Sequence, residues 1–436
     1  MKEIDYSVFQ QRIKKVQSKL ESDDLLILFA ASHKIRNRDV EYKFRQDSDF
    51  YYLTGIEEHD SILVLSKNYS CMFCLPKNKD EEIWTGIRLG RAKIKKYLNL
   101  DEAFDISEWE KTLPNLLSNK IRLFYFFGKN SIRDTEIIQA VEKVSSRSRD
   151  GKFGPEKIEQ PSFLHEMRLI KTQEEIQILK EAARITFLGH SQLFNEAKAG
   201  MMEYELEGIL EKAYLSEGAW GGGYGHIVAS GKNACILHYV SNNAMLKNGD
   251  IVLVDSGAEI KNYTADVTRC FPVSNKFSDA QAHIYQLVLA AQKNAISMVQ
   301  SGRPFYDIQN VTIRFFVDCL IDLGILEGSI DKNIESGEYK RFYMHKIGHY
   351  LGMDVHDVGK YYIQGKNRAL VDGMIVTIEP GLYFDPDDKT IPKEFRGIGI
   401  RIEDDILVSG KKPINLTEAI PKELSDIEEI RAFANS

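Results

Sequence analysis

The chain is 436 residues long, which leaves room for two or three domains with separate cores. Hydrophobic residues at 43% and charged residues at 28% exclude a disordered, collagenous or disulfide-dense protein. Lys plus Arg number 57 against 64 Asp plus Glu, and the formal charge of -7 argues against general nucleic-acid binding, which runs on clustered positive charge.

Met1 is followed by charged and polar residues, so no export signal is expected. No stretch approaches the roughly 20 apolar residues of a membrane span. The five cysteines, Cys71, Cys74, Cys235, Cys270 and Cys319, are few and odd in number, as suits a reducing, cytoplasmic setting. Cys71 and Cys74 fall in a strand-like run, where positions three apart face opposite sides, so plain thiols are expected there.

Within the first domain, strands are expected over 25–30, 61–65, 71–75 and 121–127, and helices over 5–20, 90–98 and 135–145. Residues 146–162 are rich in Ser, Arg, Gly, Lys and Pro and read as a surface connection. A boundary near residue 160 is expected, giving an N-terminal α/β domain over 1–160 and a second domain over 161–436.

The second domain reads as a duplication. Thr172-x-x-Glu175 is a capping box opening a helix with an apolar stripe at Ile176, Leu179, Ala183, Phe187 and Phe194. A helix over 202–215 and strands over 227–272 follow. The cycle restarts at the capping box Ser278-x-x-Gln281, with helices ending by Gly302 and at Gly324 and strands expected over 341–408. The string Leu246 to Gly257 matches the string Leu370 to Gly381 at a constant offset of 124. Two copies imply pseudo-two-fold symmetry, not a solenoid. That symmetry puts Asp255 and Glu379 in equivalent positions, each ending a β-rich run.

Asp255 and Asp266 are separated by a turn-like Lys261-Asn262-Tyr263, and a hairpin would make them cross-strand neighbours. Two buried carboxylates in contact call for a cation or a proton between them, unless one faces solvent. Glu379 through the repeat, and Glu403 in a strand that puts Arg401 on the same face, raise the acids to four. Oxygen donors of this kind suit a hard or borderline cation such as Mn²⁺. Three of the ten histidines, His345, His349 and His356, fall within twelve residues of a glycine-interrupted segment. Lys346 stands where H-E-x-x-H needs its Glu, which argues against that zinc motif. His238, taken alone, reads as structural.

Asp255, Asp266, His349, Glu379 and Glu403, in this order and with their flanks, resemble the ligand set of the pita-bread metallopeptidases (family M24B). The strings Cys235–Tyr239, Val254–Gly257, Tyr263–Arg269, His345–Asp357, Ile378–Tyr383 and Gly399–Asp404 are most similar to the Xaa-Pro aminopeptidase (aminopeptidase P) subfamily. Arg45–Gly55 and Glu82–Gly90 extend the likeness into the first domain. The resemblance implies an α+β protein: a duplicated pita-bread catalytic domain preceded by a smaller α/β, RNase H-like domain. It implies two divalent cations, usually manganese. Asp266 and Glu403 would bridge them, Asp255 would complete one, and His349 and Glu379 the other. The implied reaction is release of the first residue from peptides with proline second, by a hydroxide between the cations, with Glu379 as proton acceptor. His238 and His356 would contact substrate carbonyls, His345, Tyr383 and Arg401 would shape the proline side, and Tyr224 would stand near the substrate. Arg401 could instead, or as well, orient a ligand carboxylate. A homodimer or homotetramer formed through the first domain is implied.

Prolidase, which cleaves Xaa-Pro dipeptides, would share the metal set. Methionine aminopeptidase usually lacks such a first domain. Creatinase lacks the ligands, and a non-catalytic peptide-binding module would have no need of them.

Overall fold

A computed structural model describes residues 5–434. They divide between Glu166 and Met167 into two compact units. The first is built on a six-stranded mixed sheet in the order Glu102–Asp105, Tyr69–Cys74, Ile62–Ser66, Asp24–Phe29, Arg122–Phe124 and Lys157–Glu159. Tyr69–Cys74, Ile62–Ser66 and Asp24–Phe29 pair antiparallel and are buried almost throughout, as a sheet covered on both faces must be. Leu25, Ile27, Val64, Cys71 and Phe73 pack with Trp109, Leu113 and Ile137 from the helices Trp109–Leu117 and Ser131–Ser145. Cys71 and Cys74 are free thiols, each pushed up to about 12 by burial.

Two features depart from expectation. Residues 146–162 are not only a connection, because Lys157–Glu159 pairs parallel to Arg122–Phe124 at the sheet edge. All three of its residues are exposed, so no alternation of apolar residues marks it. The third expected helix starts earlier, at Ser131, where the Asn130 side chain accepts from the amides of Ile132 and Arg133.

Arg122 donates to both oxygens of Asp24, at 2.9 and 2.8 Å, and Asp24 is buried. Burial would raise the Asp24 carboxyl, but its bonds to Arg122 and the Glu21 amide hold it below the ordinary value. Asp24→Asn is expected to cost about 1.5–3 kcal/mol in urea unfolding at pH 7. A depressed folded pKa stabilises fully above the unfolded value and is lost as pH falls through the folded one. The gap between wild type and variant therefore shrinks as pH is lowered below about 4.

The second unit carries the duplication. Both capping boxes form, Thr172 with Glu175 and Ser278 with Gln281, opening the helices Gln173–Glu196 and Asp279–Met298. Each is followed by a second helix, Glu203–Ser216 and Phe305–Asp322. One half then forms the antiparallel sheet Ile227–Ser230, Ile251–Asp255, Thr268–Pro272, and the other the sheet Ile375–Ile378, Asp404–Leu407, Ile414–Asn415. Arg269 joins the halves: it reaches Asp404 at 2.7 Å and the carbonyl of Ile420 at 3.0 Å.

Strands do not fill 341–408. From residue 342 to 361 the chain is irregular, with one isolated bridge, Tyr350 to Val376. Gly348 explains part of this, because a Cβ there would lie 1.9 Å from the Thr377 carbonyl oxygen. The backbone is pressed against the sheet end instead of extending it, and His349 follows directly.

Candidate metal centre and active site

The acids sit where strands stop. Asp255 is the last residue of Ile251–Asp255, and Glu379 follows Ile375–Ile378. Glu403 precedes Asp404–Leu407, so Glu379 and Glu403 flank the registered pair Ile378↔Asp404. Asp266 lies in the gap between Tyr263–Thr264 and Thr268–Pro272. Asp255 and Asp266 are therefore not cross-strand neighbours as a simple hairpin would make them, since Asp255 registers with Thr268. The reason is where the turn falls: Lys261 and Asn262, both with positive φ, form it, and the register set by Ile260↔Tyr263 and Glu259↔Thr264 runs on unchanged to Asp255↔Thr268, leaving Asp266 two residues out of step with Asp255. The two carboxylates still meet, through Tyr224, whose hydroxyl lies 2.7 Å from Asp255 Oδ1 and 2.5 Å from Asp266 Oδ1.

Oxygens of Asp266 and Glu403 and a ring nitrogen of His349 lie within 4.8 Å of one another. His349 Nδ1 is 3.1 Å from the Tyr350 carbonyl, which can only accept, so Nδ1 carries a proton. Nε2 then faces Asp266 Oδ2 at 3.3 Å and Glu379 Oε1 at 3.6 Å. Thr377 braces this side, accepting from the His349 amide at 3.1 Å with Glu379 Oε1 3.5 Å away. Thr268 donates to Glu403 Oε2 at 2.7 Å and accepts from Arg401 Nε at 3.0 Å. Arg401 Nη2 holds Asp255 Oδ2 at 2.7 Å, and Nη1 holds the Tyr383 hydroxyl at 2.9 Å. Arg401 thus orients a carboxylate of the cluster and reaches the Tyr383 side as well. His345 Nε2 completes that row, 3.0 Å from Tyr383.

The electrostatics are those of a cluster short of positive charge. Burial, with Asp266, Glu379 and Asp255 close by, holds the Glu403 carboxyl well above the usual carboxylate range. Burial and the other acids raise Glu379 to about 7 against the pull of His349 and Arg401. Burial and Asp255 raise Asp266, whereas Arg401 and Tyr224 keep Asp255 low despite its burial. Burial would lower His349, but Asp266 and Glu379 lift it to about 9. Burial and Arg401 push His345 down to about 4. Four gathered carboxylates beside one imidazole are the donor set of a hard or borderline divalent cation, and the residues fit such a group.

The cluster opens on a cavity of about 720 Å³, within the range of small-ligand sites. All five expected ligands line it, together with His238, His345, His356, Tyr224 and Arg401. His238 and His356 are exposed, and the His356 ring stands edge-on to His349 at 4.4 Å. Tyr383 lies behind, buried. Thr268, Thr377 and Tyr361 were not among the expected residues. Tyr361 lines the cavity, stacks on Tyr350 at 4.2 Å, and its hydroxyl accepts from the Tyr350 amide at 2.8 Å. A lone Thr or Tyr has no spacing signal; only the folded neighbourhood gives it a role.

Fold and site together define a metal-dependent hydrolase. Residues 177–410 match Metallopeptidase family M24, and residues 9–125 match the aminopeptidase P N-terminal domain. The chain belongs to metallopeptidase family M24, with the expected α+β pita-bread domain preceded in the sequence by a smaller α/β domain. It is 38% identical to the Xaa-Pro aminopeptidase of Escherichia coli (strain K12) across 100% of this chain and 99% of that one. It is 40% identical to the Xaa-Pro aminopeptidase of Haemophilus influenzae across 98% and 97%. Its structure is similar to that of the Pseudomonas aeruginosa aminopeptidase PepP, with a TM-score of 0.97 at 39% identity, covering 100% of both chains.

Proposed function

We propose that this protein is an Xaa-Pro aminopeptidase, which removes the first residue from peptides with proline second. The observation that carries the reading is the convergence of four buried or half-buried carboxylates and His349 on one side of the cavity. Asp255, Asp266, Glu379 and Glu403 together match the charge of two divalent cations. Their oxygen-rich set with one imidazole favours Mn²⁺. Asp266 and Glu403 would hold both cations, Asp255 one of them, and His349 and Glu379 the other. Bound cations supply Lewis acidity to the scissile carbonyl and make water acidic enough to attack at neutral pH.

The chain's own residues do the rest. Glu379 accepts the proton of the attacking water and returns it to the proline nitrogen, which must leave as a secondary amine. His345, Tyr383 and Arg401 form a hydrogen-bonded row beside Glu379, with His345 Nδ1 3.7 Å from Glu379 Oε2, and are assigned to the proline side. His238 and His356 line the cavity, and we assign them to substrate carbonyl oxygens, with Tyr224 beside them.

Residues 1–160 are assigned to assembly and substrate access and 161–436 to catalysis. Support for a homodimer or homotetramer comes from the helix Lys79–Thr85 and its exit, where Ile83, Trp84 and Ile87 are all about four-fifths exposed or more. Support for a cytoplasmic site comes from five free thiols. Among the described residues no helix is long and apolar enough to cross a membrane.

The test is a substrate series with the manganese-loaded protein. An X-Pro-Y tripeptide is expected to release its first residue, and X-Ala-Y to remain largely uncut. Preference for X-Ala-Y overturns the reading, and activity confined to the Xaa-Pro dipeptide makes the protein a prolidase.

A further inference from the structure

His356 is placed in the cavity by a loop with no helix or strand of its own. What fixes the loop is a buried charge cluster behind it. Asp357, the next residue, is buried, with Oδ1 2.6 Å from Arg168 Nη2 and Oδ2 2.9 Å from Lys171 Nζ. The same Arg168 nitrogen reaches Asp354 Oδ2 at 2.7 Å, so two acids of the loop share one guanidinium. Arg168 lies in the last turn of the helix Ser162–Leu169, and Lys171 is pinned by its amide to the Gly373 carbonyl at 2.9 Å. Space for the pair exists because residue 352 is glycine: a Cβ there would stand 2.2 Å from Asp357 Oδ2 and 2.9 Å from Lys171 Nζ. The Asp357 amide also bonds the Tyr350 carbonyl at 2.9 Å, tying the loop back to the residue after His349. Two cations meet two acids, so these four charges sum to zero. Burial would raise the Asp357 carboxyl, but Lys171 and Arg168 hold it low, which keeps the pairs ionised.

We infer that Lys171 and Arg168 are positioning residues for the reaction: through Asp357 and Asp354 they fix the backbone that aims His356 at the substrate. The inference rests on the reading of His356 as a substrate contact. A buried ion cluster contributes little net stability over an apolar replacement, but it fixes one geometry, and a misplacement of about 1 Å at a reacting centre costs up to about a hundredfold.

The experiment is a double-mutant cycle on the manganese-loaded enzyme with an X-Pro-Y substrate. Lys171→Met alone is expected to lower kcat/KM roughly ten- to a hundredfold with metal content unchanged. Added to His356→Ala, it is expected to lower kcat/KM no further, because the side chain it aims is gone. If His356→Ala is impaired and the two effects multiply, Lys171 acts on the structure at large and the inference falls alone. If His356→Ala keeps full kcat/KM, the reading of His356 falls and takes the inference with it. Where Lys171→Met does not fold, Lys171→Gln, which keeps a donor toward Asp357, replaces it in the same cycle: no further loss on top of His356→Ala supports the inference, and multiplying effects overturn it.

Discussion

Replacing Glu403 with alanine is expected to abolish metal retention and to lower kcat/KM by roughly a thousandfold or more while leaving the protein folded. Glu403 is almost wholly buried, and its carboxylate accepts a hydrogen bond from Thr268. That burial, and then its like-charged neighbours Asp266, Glu379 and Asp255, push its carboxyl upward. In the metal-free chain, removing it therefore trades a hydrogen bond and a small cavity against relief of repulsion, two effects of opposite sign. The metal-free variant is expected to melt within about 4 °C of the metal-free wild type. With metal the two part company. Ligands that bind only the folded state raise its melting temperature by mass action. Mn²⁺ should thus raise the wild-type melting temperature and leave that of Glu403→Ala in place. The loss of activity is large because Lewis-acid stabilisation of a developing oxyanion is worth several kcal/mol, and each step of about 1.4 kcal/mol is a factor of ten. A variant that binds Mn²⁺ and turns over at about a tenth of the wild-type rate would remove Glu403 from the ligand set.

Much of this was legible in the sequence, and the boundary is physical. Thr172 with Glu175 and Ser278 with Gln281 were readable because a capping box closes within four residues. The Asp255–Glu379 equivalence was readable because both halves carry the same turn glycine ahead of the strand and an acid at its end. Interactions set by distant chain segments were not. Lys171 and Asp357 are 186 residues apart, and neither string hints at the other. Lys157–Glu159 joins the sheet only through its partner Arg122–Phe124, with no buried side chain to mark it. The hairpin expected between Asp255 and Asp266 does form, but in another register. Counting residues gives the shared face, but the position of the turn sets the register, and the turn at Lys261 and Asn262 pairs Asp255 with Thr268 instead of Asp266. Arg401 shows how a local rule can still succeed in part: a strand residue two before Glu403 had to share its face, and its guanidinium does reach Asp255.

The second large effect concerns the proton. Glu379→Gln keeps the size of the side chain and one oxygen donor but cannot take a proton from water. Glu379 lies at the centre of the site, 3.6 Å from His349 Nε2 on one side and 3.7 Å from His345 Nδ1 on the other. Burial and the surrounding acids raise its carboxyl to about 7 in the metal-free chain, so it holds a proton more readily than an ordinary glutamate. The variant is expected to retain metal and KM while kcat falls by about 10²–10⁴. Loss confined to kcat is the mark of an interaction made only in the transition state. If the metal is lost instead, the charge of Glu379 is needed as a ligand before any proton moves. If metal and kcat both survive within about tenfold, the proton goes elsewhere. His345 is then the group to test next, because burial and Arg401 hold it neutral, its Nδ1 carries the ring proton toward the Lys346 carbonyl at 2.8 Å, and its Nε2, 3.0 Å from the Tyr383 hydroxyl, is left to accept a proton.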